Sequence, residues 1–114
     1  MSKHVYEDVP RGLIRRHRIM VGLGSDHAGR QLRPVAVYPI VEEIAKQLGA
    51  YSITRVDGYW EGVKEPGVVI EYIGDENVLV TKVARKIADA LHQAEVWVTS
   101  DSTFLTKIVR KEVV

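Results

Sequence analysis

The apolar residues of this chain occur in short runs typical of β-strands and in two longer segments with the periodicity of amphipathic helices. Runs rich in β-branched and aromatic residues predict four strands, at residues 17–24, 51–56, 68–73 and 95–99. Apolar residues spaced three and four apart predict one helix between the first two strands and one between the last two. The predicted order is therefore strand, helix, strand, strand, helix, strand.

The two predicted helices carry different signals. The first covers residues 38–48, because Pro39 suits a first turn and Gly49 suits the position after the last turn. Its apolar face consists of Val37, Ile40, Val41, Ile44 and Leu48. The second follows a turn at residues 74–77 that offers N-cap side chains. Its apolar face consists of Val80, Val83, Ala84, Ile87, Ala88 and Leu91, and its polar face of Lys82, Arg85, Lys86 and Asp89.

This order predicts a ferredoxin-like α+β fold, βαββαβ, with an antiparallel sheet and two helices on one face. The 114 residues fit a single domain, with its core at residues 17–100. We expect residues 1–16 to form an arm that adds an edge strand, and residues 101–114 to form a tail or a further strand. Asp57-Gly58 is expected to end the second strand, and the segment through Pro66-Gly67 to be a loop or a wide hairpin.

Composition narrows the class of protein. At 46% hydrophobic residues the chain can build a core, but a domain of this size buries only about two-thirds of its unfolded surface. We therefore expect a homo-oligomer. The absence of cysteine excludes disulfides and thiolate metal sites. With no long apolar stretch and no signal-peptide pattern, we expect a cytoplasmic protein with no membrane partner, in the host cytoplasm if it is phage-encoded.

The net charge of +1 favours no particular partner. Basic residues cluster at positions 11–18, and Lys82, Arg85 and Lys86 share one face of the second helix. Either group can meet phosphate. We interpret both as solvated surface and do not expect nucleic acid as a partner.

A polar turn follows the first strand directly and contains Ser25, Asp26 and His27. These are not a hydrolase triad, because neighbouring side chains point in different directions. His27 is suited to carry a proton near neutral pH, with Asp26 as its partner, and the turn together with Arg30 is suited to hold an anion. The alternative is a structural loop in which Asp26 acts as a cap.

The six residues Gly24–Gly29 resemble the opening motif of the type B ribose-5-phosphate isomerases, where this turn binds the sugar phosphate. That family is longer, has a doubly wound parallel sheet, and uses a cysteine and a glycine-rich phosphate loop that this chain lacks. We interpret the match as a local coincidence.

A second constellation lies at residues 55–65. Arg55 is suited to pair with a phosphate, Tyr59 and Trp60 to stack on a nucleobase, and Glu65 to accept a hydrogen bond from a ribose or an amine. In the structural alternative, Trp60 plugs the open end of the sheet and Glu65 pairs with Arg55 or Lys64.

The chain is also similar, over roughly residues 17–100, to small uncharacterised ferredoxin-like proteins of bacteria and their phages. The matching positions are Tyr51, Gly58, Trp60, Gly62, Glu65, the strand at 68–73 and residues 96–98. The resemblance implies a compact oligomer that binds or interacts rather than catalyses.

The favoured function is a non-catalytic, oligomeric binding protein for a small anionic ligand, such as a phage protein that sequesters a signalling nucleotide. The expected ligand-binding residues are Ser25, Asp26, His27, Arg30, Arg55, Tyr59, Trp60 and Glu65. No catalytic residue, cofactor or metal is predicted. Two alternatives stay open: a sugar-phosphate isomerase or other acid–base enzyme that uses His27, and a protein–protein interaction module.

Overall fold

The computed structural model describes residues 3–113 and contains four strands and two helices. In chain order these are β1 (Lys3–Gly22), α1 (Pro34–Ala45) with a 3₁₀ turn after it (Lys46–Leu48), β2 (Ser52–Trp60), β3 (Val63–Ile73), α2 (Asn77–Ala90) and β4 (Trp97–Val113). The strands form one sheet in the order β2-β3-β1-β4, and every neighbouring pair is antiparallel. The predicted ferredoxin-like α+β fold is confirmed. The antiparallel sheet also differs from the parallel sheet of the isomerases that the turn at 24–29 resembles.

The core lies between the helices and one face of the sheet. Ile19 and Val21 of β1 alternate with the half-buried Met20, because successive side chains of a strand point to opposite faces. Val68 and Ile70 of β3 are buried beside them. The apolar face of α2 packs there as predicted, with Val80, Val83, Ala84, Ile87 and the following Leu91 buried. No helix among residues 3–113 has the length and hydrophobicity needed to cross a bilayer.

Helix α1 begins earlier than predicted. Pro34, not Pro39, occupies the first turn, where the missing N–H costs no helical hydrogen bond. Pro39 lies inside the helix and has no N–H to donate to the carbonyl of Val35. Val35 is exposed, so solvent can reach this carbonyl. Ile40 was expected on the apolar face and is 42% exposed instead. Gly49 follows the 3₁₀ turn with a φ of 81°, as its predicted role at the helix end requires.

The prediction that Asp57-Gly58 ends the second strand is wrong. Gly58 lies opposite Glu65, and pairing continues to Trp60 opposite Val63. The chain reverses at Glu61-Gly62, where both residues have positive φ, 49° and 79°. That conformation matches the twist of the flanking strands and makes a tight two-residue hairpin. The expected N-cap at residues 74–77 is absent as well, since the side chain of the N-cap residue Glu76 makes no capping hydrogen bond.

Strands β1 and β4 continue well beyond the four-stranded part of the sheet. They pair from Lys3 opposite Val113 to Met20 opposite Trp97, whereas β3 pairs with β1 only from Arg16 onward. The expected arm therefore continues β1 itself, and the expected tail continues β4; residues 1, 2 and 114 lie outside the described residues. We call residues 3–15 and 102–113 the ribbon. It extends the molecule to 62 Å, against 30 and 27 Å in the other directions.

His17 joins three elements inside the core. Its Nε2 lies 3.0 Å from the carbonyl oxygen of Gly74. A carbonyl only accepts, so Nε2 carries the proton and Nδ1 accepts from the hydroxyl of Ser100, 2.6 Å away. The ring also stacks on Tyr72 with centroids 5.9 Å apart. This histidine thus connects β1 to β4 and to the turn before α2.

We expect His17→Ala to lower the free energy of unfolding by about 2–3 kcal/mol, because it opens a cavity and leaves a buried carbonyl without its donor. Urea unfolding followed by circular dichroism measures this change. His4→Ala, at an exposed ribbon position, is the control. Equal unfolding midpoints for the two variants would contradict the structural role of His17.

Candidate functional site

A cleft of about 560 Å³ opens between the β1–α1 loop and the β2–β3 hairpin. Its loop wall includes Gly24 and Ser25, and its hairpin wall includes Lys64 and Glu65. We call it the hairpin cleft. A second cleft of about 610 Å³, the helix cleft, lies beside the start of α1. The two clefts adjoin, since Leu23, Pro34 and Pro66 line both.

Glu65 lies in a cradle formed by two glycines. Its Oε1 accepts a hydrogen bond from the backbone N–H of Gly24 at 3.2 Å. A Cβ atom at Gly24 would lie 2.6 Å from Glu65 Cγ, and one at Gly22 would lie 2.8 Å from Oε1. The carboxylate therefore reaches the end of β1 only because both positions lack side chains. The hydrogen bond uses Oε1 and does not involve Oε2.

Asp26 shapes the loop that forms the opposite wall. Its Oδ1 accepts from the N–H groups of Ala28 and Arg30, both at 2.9 Å. The bond from Arg30 lowers the pKa of the Asp26 carboxyl most; partial burial opposes it, and Ala28 adds to the lowering. A carboxylate with a lowered pKa is a weak base. Asp26 thus caps its own loop, whereas Arg33 is the N-cap residue of α1.

His27 lines neither cleft. Its backbone N–H donates to the carbonyl of His92 at 2.8 Å, and the two imidazole rings meet edge to face with centroids 6.5 Å apart. Arg30 is likewise exposed and lines neither cleft. Of the predicted residues in this turn, the structure brings only Ser25 to the hairpin cleft, beside Glu65. In the part of the chain that the structure describes, no three histidine or acidic side chains group as metal ligands do.

Arg55 lies on the wall of the helix cleft. Its guanidinium carbon is 3.9 Å from the ring centroid of Tyr38, a cation–π contact that fixes the side chain while leaving it exposed. Arg55 therefore does not pair with Glu65. Lys64 pairs instead with Asp57, with Nζ and Oδ2 3.4 Å apart. Arg55 thus gives the helix cleft a positive charge.

We call the sheet face opposite the helices the uncovered face; Met20, Val56, Val69 and Glu65 line a shallow depression on it. Tyr59 borders this depression and is exposed, but by strand alternation it lies on the same side of β2 as Ile53 and Arg55. Trp60 ends β2, but its side chain lies outside the described part of the molecule. Tyr59 lines neither of the two clefts.

Sequence reasoning missed the two glycines and Tyr38. The signal for the glycines was present, because Gly22 and Gly24 are two positions apart at the end of a strand. Consecutive glycines on one face indicate that another group approaches the backbone closely. No such signal exists for Tyr38, because its contact with Arg55 joins residues from different elements.

The sequence matches no protein-family model, and no curated protein matches it. Solved structures do match the fold. An apo phage SAM lyase superposes with a TM-score of 0.55 at 20% identity, over 87% of each chain. A phage SAM lyase in complex with S-methyl-5′-thioadenosine gives 0.53 at 17%, over 88% of each. A nitrogen regulatory PII-like protein from Thiomonas intermedia, bound to ADP, AMP and bicarbonate, gives 0.50 at 12%, over 87% of this chain and 96% of its own.

These likenesses establish a shared fold. The predicted resemblance to small ferredoxin-like proteins of bacteria and phages therefore holds at the level of the fold.

Gly24→Ala tests the cradle. We expect it to destabilise the chain by about 1–3 kcal/mol, because the new methyl group overlaps the Glu65 side chain. Gly58→Ala is the matched control, since its nearest contact would be an ordinary 3.6 Å. Combining Gly24→Ala with Glu65→Ala should remove most of the cost in a double-mutant cycle of urea unfolding. Additive effects would show that the cradle does not hold Glu65.

Proposed function

We propose that this chain acts as an oligomer that binds a small adenosine-containing molecule, either an anionic adenine nucleotide or an uncharged related nucleoside, without converting it. The proposal rests on one observation: the Glu65 carboxylate, positioned by the N–H of Gly24, forms part of the wall of an open cleft. A carboxylate oxygen accepts hydrogen bonds from an exocyclic amine or from ribose hydroxyls. Binding without turnover would sequester the ligand.

Arg55 supports the anionic part of the proposal. The adjoining clefts are of the size that small-molecule ligands occupy, and Arg55 lies on the wall of the second one. An arginine held against an aromatic ring is ready to bind phosphate with little further loss of side-chain freedom. A ligand with a nucleoside in one cleft and a phosphate in the other would use both groups.

The solved structures that share the fold support the choice of ligand. Their bound molecules are S-methyl-5′-thioadenosine in one and ADP and AMP in the other. All three contain an adenosine group, and the PII-like protein binds bicarbonate in addition. The acid–base alternative has less support, because His27 lines neither cleft and Asp26 is engaged by its own loop.

Calorimetry with adenosine, AMP, ADP, S-methyl-5′-thioadenosine and S-adenosylmethionine tests the proposal, with guanosine and GMP as matched controls. We expect at least one adenosine compound to bind, and Glu65→Gln to weaken it about tenfold or more. Glu95→Gln, at an exposed site outside both clefts, should bind like the wild type. The site would be contradicted if no compound in the panel bound, or if Glu65→Gln bound with the wild-type affinity.

Analysis of each compound after incubation tests the absence of catalysis. Unchanged compounds are the expected result, and a new product would contradict the non-catalytic part of the proposal.

Arg55→Met separates phosphate recognition from nucleoside recognition. We expect it to weaken the binding of ADP about fivefold or more while leaving the affinity for adenosine unchanged. Only ADP carries the phosphate charge that Arg55 would contact. Competition calorimetry at fixed ionic strength compares the two ligands. Arg85→Met, on the outer face of α2, controls for net charge and should leave both affinities unchanged. Equal losses for adenosine and ADP would contradict the assignment of Arg55.

A further inference from the structure

The chain exposes far more surface than a compact domain of its mass. Its radius of gyration is 18.1 Å, whereas a compact domain of this length has about 13 Å. Its accessible area is 8193 Å², whereas a compact monomer of 12.8 kDa exposes about 6,300 Å². A standard protein interface buries about 800 Å² per partner. The excess is therefore large enough for one extensive interface or two standard ones.

The ribbon carries an apolar face of its own. Tyr6, Leu13, Phe104 and Ile108 are between 58% and 75% exposed. Leu13 lies directly opposite Phe104, and Ile108 follows four residues later on the same side of β4. These four side chains form a stripe that no part of residues 3–113 covers.

A β-bulge in β1 keeps the side chains of this stripe on one face of the ribbon. Tyr6 and Leu13 are seven residues apart, an odd number, so they would point to opposite faces of a regular strand. The register shifts between Pro10 and Gly12, and Gly12 takes a φ of 81°. One extra residue in β1 therefore brings Tyr6 and Leu13 to the same face.

The ribbon is apolar on its other face as well. The half-buried side chains there are Val9, Ile14, Leu105 and Val109. An isolated two-stranded ribbon is at best marginally stable in water. A ribbon with two apolar faces is therefore expected to pack against another surface rather than stand in solvent.

The uncovered face provides a second unpartnered apolar surface in the same chain. Met20, Val56, Val69 and the exposed Trp97 lie on it. Two ion pairs lie on it: Arg18 binds Glu71 at 3.1 Å, and Arg16 binds Asp101 at 2.9 Å. Covering this face buries each of these charges together with its partner, so that neither is left as an unpaired buried ion.

We propose that the ribbon of one copy packs against the uncovered face of a second copy of this chain. The inference rests on the oligomeric part of the proposed function and names the surfaces that form the contact. Because the two surfaces differ, each copy uses both. Glu65 borders the uncovered face, so the same contact places the hairpin cleft beside the neighbouring copy.

Sedimentation equilibrium over a concentration series tests this contact. The wild type should have the mass of an oligomer, a whole-number multiple of 12.8 kDa above the mass of one chain. Phe104→Glu and Trp97→Glu should each weaken association about 30-fold or more. Val78→Glu, at an 82% exposed valine on α2, is the matched control and should associate like the wild type. Circular dichroism confirms that each variant is folded, and both altered side chains are exposed in the single copy.

Mixing the two variants tests the pairing itself. A Phe104→Glu copy keeps an intact uncovered face, and a Trp97→Glu copy keeps an intact ribbon. The mixture should therefore show a higher mass than either variant alone. Failure of the mixture to associate would overturn the ribbon-to-face contact, and so would a Phe104→Glu variant with the wild-type mass.

The outcomes separate the two proposals. A wild-type oligomer that resists Phe104→Glu leaves the oligomer in place and overturns only the ribbon contact. A monomeric wild type that still binds an adenosine compound overturns the contact and the oligomeric state, but not the ligand site.

Discussion

The structure depends on the pairing of one long central strand. Strand β1 pairs with β3 through residues 16–22 and with β4 along nearly its whole length. Its C-terminal part carries the buried Ile19 and Val21, and its N-terminal part forms one half of the ribbon. The same strand thus supports the packed core and the unpacked ribbon, and His17 lies where the two meet.

The end of this strand also explains the candidate site. Where β1 leaves the sheet, Gly22 and Gly24 leave space that Glu65 fills from the neighbouring strand. The tight hairpin at Glu61-Gly62 places Glu65 there by keeping β2 and β3 in register up to the turn. The loop wall opposite is stiffened by the hydrogen bonds of Asp26 to the backbone. Cleft, cradle and hairpin are therefore consequences of one local arrangement.

The helices were the most predictable part of the fold, because their burial depends on a local period. The face of α2 read from the sequence is the face that packs, and only Ile40 of α1 was misplaced. The strands were less predictable. Asp-Gly is a common turn signal, but the pairing of Gly58 with Glu65 outweighs it here, because Glu61-Gly62 forms the tighter turn. The full length of β1 was missed because the bulge between Pro10 and Gly12 interrupts its alternation.

The sequence by itself determined the order of elements and the fold class. Local propensity and hydrophobic periodicity carry that information, since they depend on residues close together in the chain. Only the tertiary structure decided that Glu65 rests on two glycines, that Arg55 lies against Tyr38 and that His27 meets His92. These contacts join residues between 17 and 65 positions apart along the chain. They form only once the sheet register and the loop path are set, and no local pattern encodes either.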